Sequence, residues 1–245
     1  MGDFRRVGRY NRRVVRTLLK AVYLGLTNYD YEVHRLVGYV ARFGGKPDAQ
    51  VLDLGCGHGR LLRALAARGV AATGVEENEA IVAANRAAGL TCLTTAEFAR
   101  SDASFDVIVM SHLIEHFAPE ALVEFIDRHL DRLRPGGALI LASPLASPYF
   151  HDDLDHVRPY PPASIQMVFS PGVPQTRHRP RNRMLLRDVW FRRAHFRPVS
   201  FKGMRMRTWT TLPLAALECA SALAFHASFQ LFGRTDGWVG VFEKS

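Results

Sequence analysis

Val51-Leu52-Asp53-Leu54-Gly55-Cys56-Gly57-His58-Gly59-Arg60-Leu61-Leu62 is the stretch of this 245-residue chain whose reading decides the fold. Its first four residues, apolar except for Asp53, have the pattern of a short buried strand. The glycines make a tight turn, and Arg60 onward starts a helix. Such a strand, loop and helix is a nucleotide-sized unit. Glycine at 55, 57 and 59 lets the backbone turn sharply and approach a ligand that any Cβ would hold away. The start of the following helix adds free N–H groups and the positive end of its dipole.

The spacing separates two kinds of ligand. A dinucleotide fingerprint places glycines at its first, third and sixth positions, to admit a pyrophosphate. The sixth position here is Arg60. Gly-x-Gly-x-Gly after an acid resembles instead the first motif of class I S-adenosylmethionine (SAM) dependent methyltransferases, whose cofactor carries a methionine where a dinucleotide has its pyrophosphate. The resemblance implies that Gly55, Cys56, Gly57 and Gly59 seat the methionine part and that Asp53 braces the loop. About twenty residues past the glycines, a second strand over 71–75 ends in Glu76, a carboxylate placed to accept hydrogen bonds from both ribose hydroxyls of an adenosine. By resemblance, Ala96-Glu97-Phe98 lies against the adenine, and His112 joins the cofactor residues. Phe105-Asp106-Val107 and Leu133-Arg134-Pro135-Gly136-Gly137 resemble two further motifs of the family. The four fall in order across residues 50–144, under half of the chain. The repeated alternation of strand and helix predicts an α/β fold, a doubly wound, mainly parallel seven-stranded sheet of the class I methyltransferase type, closed by an antiparallel last strand over 238–242.

After the fourth strand comes His112-x-x-Glu115-His116. The same spacing marks zinc peptidases, but there it sits on one long helix, and here it follows a strand. Small-RNA 2′-O-methyltransferases and ubiquinone-pathway O-methyltransferases carry Glu-x-x-Glu-His at this place to bind a divalent ion. His112 replaces their first Glu, which weakens the site for a hard cation, so the expectation is no metal. Further on, the loop over 149–162 is rich in His, Asp and Pro and hangs over the C-terminal edge of the sheet, where open α/β sheets bind ligands. Its Asp155-His156-Val157-Arg158-Pro159-Tyr160 run resembles a loop of bacterial methyltransferases, some associated with cell-surface glycan synthesis. His116 and His156 are the candidate proton acceptors for a hydroxyl substrate. The implied acceptor is a small molecule, a glycan or a lipid-linked molecule; the alternatives are an RNA methyltransferase and a noncatalytic SAM-fold module that binds a partner.

Length fits one α/β domain with additions. Residues 1–46 read as a basic helical N-terminal cap, and 47–245 as the SAM-binding domain. Within it, an Arg- and Pro-rich insertion covers about 170–183, a helix 184–195, a short strand 198–201 and an apolar helix about 212–232. Cys56, Cys92 and Cys219 are odd in number and unclustered, which argues for a reducing, cytoplasmic setting and against a cysteine zinc site. Arg16 and Lys20 interrupt the apolar stretch over 14–26, so it reads as no signal peptide. Net charge is +9, with seven Lys or Arg in residues 1–20 and eleven in 177–207. The apolar stripe beginning at Val14 makes a basic amphipathic helix, suited to peripheral contact with an anionic membrane surface. Nucleic acid is the weaker partner, because no RNA-binding module or motif is present.

Overall fold

The computed structural model describes residues 17, 21–46, 48–147, 150–172, 176–198 and 211–245. The basic positions 5–16 and most of the strand expected over 198–201 lie outside the described residues. The chain divides into two compact units: Tyr31–Arg192 with Thr235–Ser245, and Met1–Asp30 with Arg193–Arg234.

The larger unit is built on the sheet. In chain order come α1 (Tyr31–Gly44), β1 (Val51–Leu54), α2 (Arg60–Ala66), β2 (Ala72–Glu76), α3 (Glu79–Ala87), β3 (Cys92–Thr94), α4 (Thr95–Ala99) and β4 (Phe105–Ser111). Then follow α5 (Pro119–Leu130), β5 (Leu133–Pro144), α6 (Pro162–Phe169), β6 (Met184–Ala194), α7 (Thr211–Ala227) and β7 (Arg234–Lys244). The strand order is β3-β2-β1-β4-β5-β7-β6. β1 pairs in parallel with both β2 and β4, and β4 with β5. β7 lies antiparallel to β5. The order therefore reverses between β1 and β4, and a crevice opens beyond their C-terminal ends, where ligands of doubly wound sheets bind.

Period-two alternation sends neighbouring strand residues to opposite faces. Ile108 and Met110 of β4 join Leu52, Leu54 and the α5 residues Leu122 and Ile126 on one face. Val107 and Val109 join Leu36, Val37 and Val40 of α1 on the other. α1 thus packs as one of the layers over the sheet. At the opposite end of the strands from the crevice, Asp106 accepts from the Gln50 N–H and pairs with Arg134 and Lys46. The Phe-Asp-Val and Leu-Arg-Pro-Gly-Gly motifs are thus tied to each other at the base of the sheet. β5 already starts at Leu133, paired with Phe105, and the register shifts between Phe105 and Val107. What reads as a turn in sequence is an irregular strand entry.

The helix expected over 184–195 is instead the edge strand β6. Its apolar residues at 184–186 and 189–191 suit either period, and tertiary pairing decides. Arg187 pairs with Glu243 and Arg192 with Asp236, joining β6 to β7 by opposite charges.

In the smaller unit α7 stops at Ala227, short of the expected 232. Phe229 and Gln230 take positive φ (51° and 72°), and the Gln230 N–H closes back on Phe225 O at 2.8 Å, a left-handed helix ending.

Candidate active site

The glycine loop is held from beneath by backbone and from the side by one amide. The N–H groups of Gly55 and Cys56 both donate to Val75 O, at 2.8 and 3.0 Å, tying the loop to β2. Gly55, Gly57 and Gly59 all have positive φ. At Gly57 a Cβ would meet nothing within 4 Å, whereas at Gly59 it would strike Leu90 and Asn85. The loop is therefore packed behind Gly59 and open at Gly57, a cradle that side chains leave clear for a ligand. Glu76 accepts from the Gly57 N–H and the Asn78 N–H, both at 3.0 Å, and keeps lone pairs for ligand hydroxyls. Asn85 was not legible as a site residue. Its Nδ2 donates to Gly57 O at 2.8 Å from a buried position on α3. The one signal was a polar residue three positions after Val82 on the buried stripe of that helix.

Three expected cofactor residues have particular surroundings. The Cys56 thiol turns inward to 3.6 Å from the Cys92 sulfur, and burial pushes it up. Asp53 is buried with no hydrogen bond or ion pair to its carboxyl among the described residues, and burial raises it to about 7. The Glu97 carboxylate forms a capping box with Thr94 at the start of α4 and pairs with Arg86.

The loop after β4 is organised by charge. His112 adopts φ 54°, a left-handed backbone conformation unusual for a side-chain-bearing residue. Its Nε2 lies 2.8 Å from Glu32 Oε1, and its Nδ1 lies 3.3 Å from Glu115 Oε1. Burial opposes the charge on this imidazole, but the Glu32 and Glu115 carboxylates outweigh it and raise His112 to about 9. Burial likewise opposes the charge on Glu32, and His112 and Arg192 outweigh it, holding Glu32 at about 2. Arg192 spans from Glu32 to Asp236. The side chain of His112 is thus engaged by carboxylates from α1 and its own loop. Glu32 and Arg192 were missed in sequence because they lie about 80 residues to either side of it.

His116 and His156, far apart in sequence, are brought together: their rings stand edge to face with centroids 5.0 Å apart. His116 Nδ1 lies 3.1 Å from Asp155 O and His156 Nδ1 lies 2.6 Å from Phe150 O. A carbonyl only accepts, so each ring carries a proton on Nδ1, and His156 Nε2 lies 3.8 Å from Asp153 Oδ2. Glu115, His116 and His156 offer ligand atoms within 4.8 Å of one another, and two imidazoles with one carboxylate suit a transition metal better than a hard cation. Tyr160, on the same loop, is buried and donates its hydroxyl to Phe117 O at 2.8 Å, a packing role.

The methyltransferase-domain family matches residues 28–201, more than half of the chain. The chain belongs to the class I SAM-dependent methyltransferases. The methyltransferase is 32% identical over 104 residues to the ubiquinone biosynthesis O-methyltransferase of Parvibaculum lavamentivorans, covering 39% of this chain and 40% of the relative. It is 29% identical over 116 residues to the enzyme of the same name from Pseudomonas aeruginosa, covering 44% of this chain and 49% of the relative. These matches span less than half the length of the curated relatives. Among solved structures, a SAM-dependent methyltransferase from Archaeoglobus fulgidus shares the fold, with TM-score 0.55 at 19% identity over 86% of this chain and 92% of that one. The YcgJ protein of Bacillus subtilis does so with TM-score 0.53 at 16% identity, over 86% of this chain and 98% of that one. SAM is the cofactor of the family to which the chain belongs. The clear space at Gly57 and the carboxylate of Glu76 fit that cofactor.

Proposed function

We propose that this enzyme methylates a hydroxyl of a small-molecule, glycan or lipid-linked acceptor in the cytoplasm, with His116 as general base and His156 fixed beside it. When bound, SAM supplies a methyl on a cationic sulfur, whose charge disappears as the methyl leaves. Gly55, Cys56, Gly57 and Gly59 seat its methionine part through their backbone, Glu76 accepts from the ribose hydroxyls, and Asp53 and His112 shape the ground beneath. A hydroxyl is a poor nucleophile until its proton is taken, and an imidazole does this near neutral pH. The observation that carries the reading is the pairing of the two rings with each Nδ1 held at a backbone carbonyl, which leaves Nε2 as the nitrogen of His116 that can take a proton, while His156 Nε2 lies 3.8 Å from Asp153 Oδ2. The O-methyltransferase names of the curated relatives support oxygen as the methylated atom.

Incubation with methyl-labelled SAM and separate pools of lipid extract, soluble metabolites, glycans and RNA identifies the acceptor. His116→Asn should lower turnover by about 10²- to 10⁴-fold while leaving SAM affinity unchanged. Label on nitrogen, or on RNA alone, overturns the reading. A second reading follows from the ligand atoms of Glu115, His116 and His156: the three hold a divalent ion that activates the acceptor oxygen. Turnover that survives a strong chelator supports the metal-free base; loss restored by one added ion supports the second reading.

A further inference from the structure

The positive charge of the protein is concentrated in two stretches of its sequence, 1–30 and 193–234. Met1–Asp30 with Arg193–Arg234 carries thirteen Lys or Arg against three acids, and the larger unit nineteen against twenty. The whole excess of +9 therefore falls in those two stretches of sequence, ten of whose thirteen cations lie outside the described residues. The smaller unit contains a helix built inside out. On α7, every exposed position from 213 to 227 is Pro, Ala or Leu, recurring at three- and four-residue steps along one face. The helix's acid is on the other side: Glu218 is buried, accepting from the Tyr23 hydroxyl at 2.8 Å and lying 3.3 Å from His195 Nε2. A surface helix ordinarily turns its apolar stripe inward and its charges to water. Here Leu223 stands 59% exposed, and the turn that follows exposes Phe229 (91%), Leu231 (71%) and Phe232 (75%). A contiguous apolar face of this kind marks a surface made for an apolar partner.

We propose that the smaller unit is a docking surface for an anionic lipid bilayer, with the outer face of α7 and residues 229–232 entering the headgroup layer. Both halves of the chemistry are present: apolar side chains that gain from the acyl boundary, and an excess of cations that anionic headgroups attract. From Arg192 to the start of α7 the chain has six Lys or Arg and no acid, so basic charge adjoins the apolar face in sequence. Docking in the interface, and not crossing, follows from size. A helix of 17 residues spans about 25 Å, short of a hydrocarbon core of about 30 Å. No helix among the described residues is long and apolar enough to cross a membrane. A second protein copy would satisfy the apolar face but not an excess of like charge, which repels its own duplicate.

The test is flotation of the full chain with vesicles of phosphatidylcholine alone and with added phosphatidylglycerol, across a salt series. Binding is expected with the anionic vesicles alone, weakening as salt rises. Phe229→Glu and Phe232→Glu should each lower the affinity by about tenfold. Both side chains are exposed, so melting temperature and SAM binding should match the unsubstituted chain and show that the variants fold. Absence of binding to anionic vesicles overturns the proposal, as does undiminished binding by both glutamate variants. A dimer in solution that Phe232→Glu dissolves, with no vesicle binding, assigns the face to a second copy instead.

Discussion

The two halves of the crevice are held by different physics. On the β1–β2 side, the glycine loop is fixed by backbone N–H groups, by the amide of Asn85 and by Glu76, all at local or near-local sequence distance. Beyond β4, the loop is fixed by charge, with the partly exposed His112 between the buried carboxylates of Glu32 and Glu115 and Arg192 closing the cluster from β6. Neutral hydrogen bonds to backbone tolerate the loss of a partner better than buried ions do, because a stranded ion keeps its full desolvation cost. The cofactor half should therefore respond to substitution mainly in ligand affinity, and the acceptor half mainly in stability.

The sharpest break is at Glu32. Glu32→Gln leaves Arg192 and the cationic His112 facing each other without their shared carboxylate. Removing one member of a buried pair costs about 3–5 kcal/mol; because His112 keeps 42% of its side chain exposed and Arg192 22%, solvent screens part of this, and chemical denaturation should show a loss at or below the lower end of that range at neutral pH. The cluster also sets a pH window. His112 is raised to about 9, so its contribution is complete below about 6.5 and is lost as pH rises through 9. Glu32 is lowered to about 2, so its contribution is complete above 4.5 and is lost as pH falls through 2. Glu32→Gln should abolish the acid loss and diminish the alkaline one, since Glu115 still faces His112. An alkaline limb undiminished in the variant would assign it to another group.

Glu76→Ala tests the other half. Two hydrogen bonds from a charged acceptor to ribose, partly replaced by water, are worth about 2–4 kcal/mol. Calorimetry should show SAM affinity falling accordingly, with a melting temperature little changed. Because the same carboxylate holds the Gly57 and Asn78 N–H groups, Glu76→Gln should recover part of the affinity. Unchanged SAM binding by a folded Glu76→Ala protein removes Glu76 from the cofactor site.

Asp53 sharpens the comparison, since it places an acid without a hydrogen-bond partner among the described residues inside a half where the Glu76 carboxylate is held by backbone N–H groups. Its pKa rises from 3.8 to about 7 on folding. The folded state therefore binds the extra proton between those values, and stability falls as pH rises across that window, then levels above about 7. Asp53→Asn should stabilise the ligand-free protein at pH 8 by an amount on the order of 2 kcal/mol, less than the full shift because the site relaxes. SAM, cationic at its sulfur and amino groups, should bind the Asn variant more weakly. Opposite signs for stability and affinity identify a residue strained for function. Equal signs would make Asp53 a packing residue.

The same contrast explains what the sequence could disclose. The glycines, Glu76 and the alternation of strands are local patterns, so the sheet and the geometry of the glycine loop are readable from spacing. Glu32 and Arg192 take their roles from a distant histidine, and nothing within a few residues of either marks them. β6 was misread as a helix because its apolar positions fit both periods and only the pairing with β7 separates them. The meeting of His116 with His156 was anticipated only as two candidates over one edge, and the carbonyls that fix their protons, Asp155 O and Phe150 O, are backbone groups that no residue type announces.

The smallest expected effect is at Glu97, on the cofactor side of the comparison. Its carboxylate accepts from the Thr94 N–H at 2.7 Å and pairs with Arg86, while the Thr94 hydroxyl accepts from the Glu97 N–H at 3.1 Å. This reciprocal cap starts a helix of five residues immediately after β3, so the side chain is spent on shaping the turn that the family places against adenine. Any contact of this residue with adenine then falls to the backbone of the turn. Glu97→Gln keeps the cap, since glutamine fills the same position of a capping box, and removes only the charge seen by Arg86. SAM affinity should stay within about twofold, because exposed ion pairs contribute little, with a slight fall in melting temperature. Glu97→Pro, which removes the N–H that Thr94 holds, should instead weaken SAM binding by distorting the turn. A large loss of affinity in Glu97→Gln, measured by calorimetry in a protein of unchanged melting temperature, would show the carboxylate itself touching the cofactor.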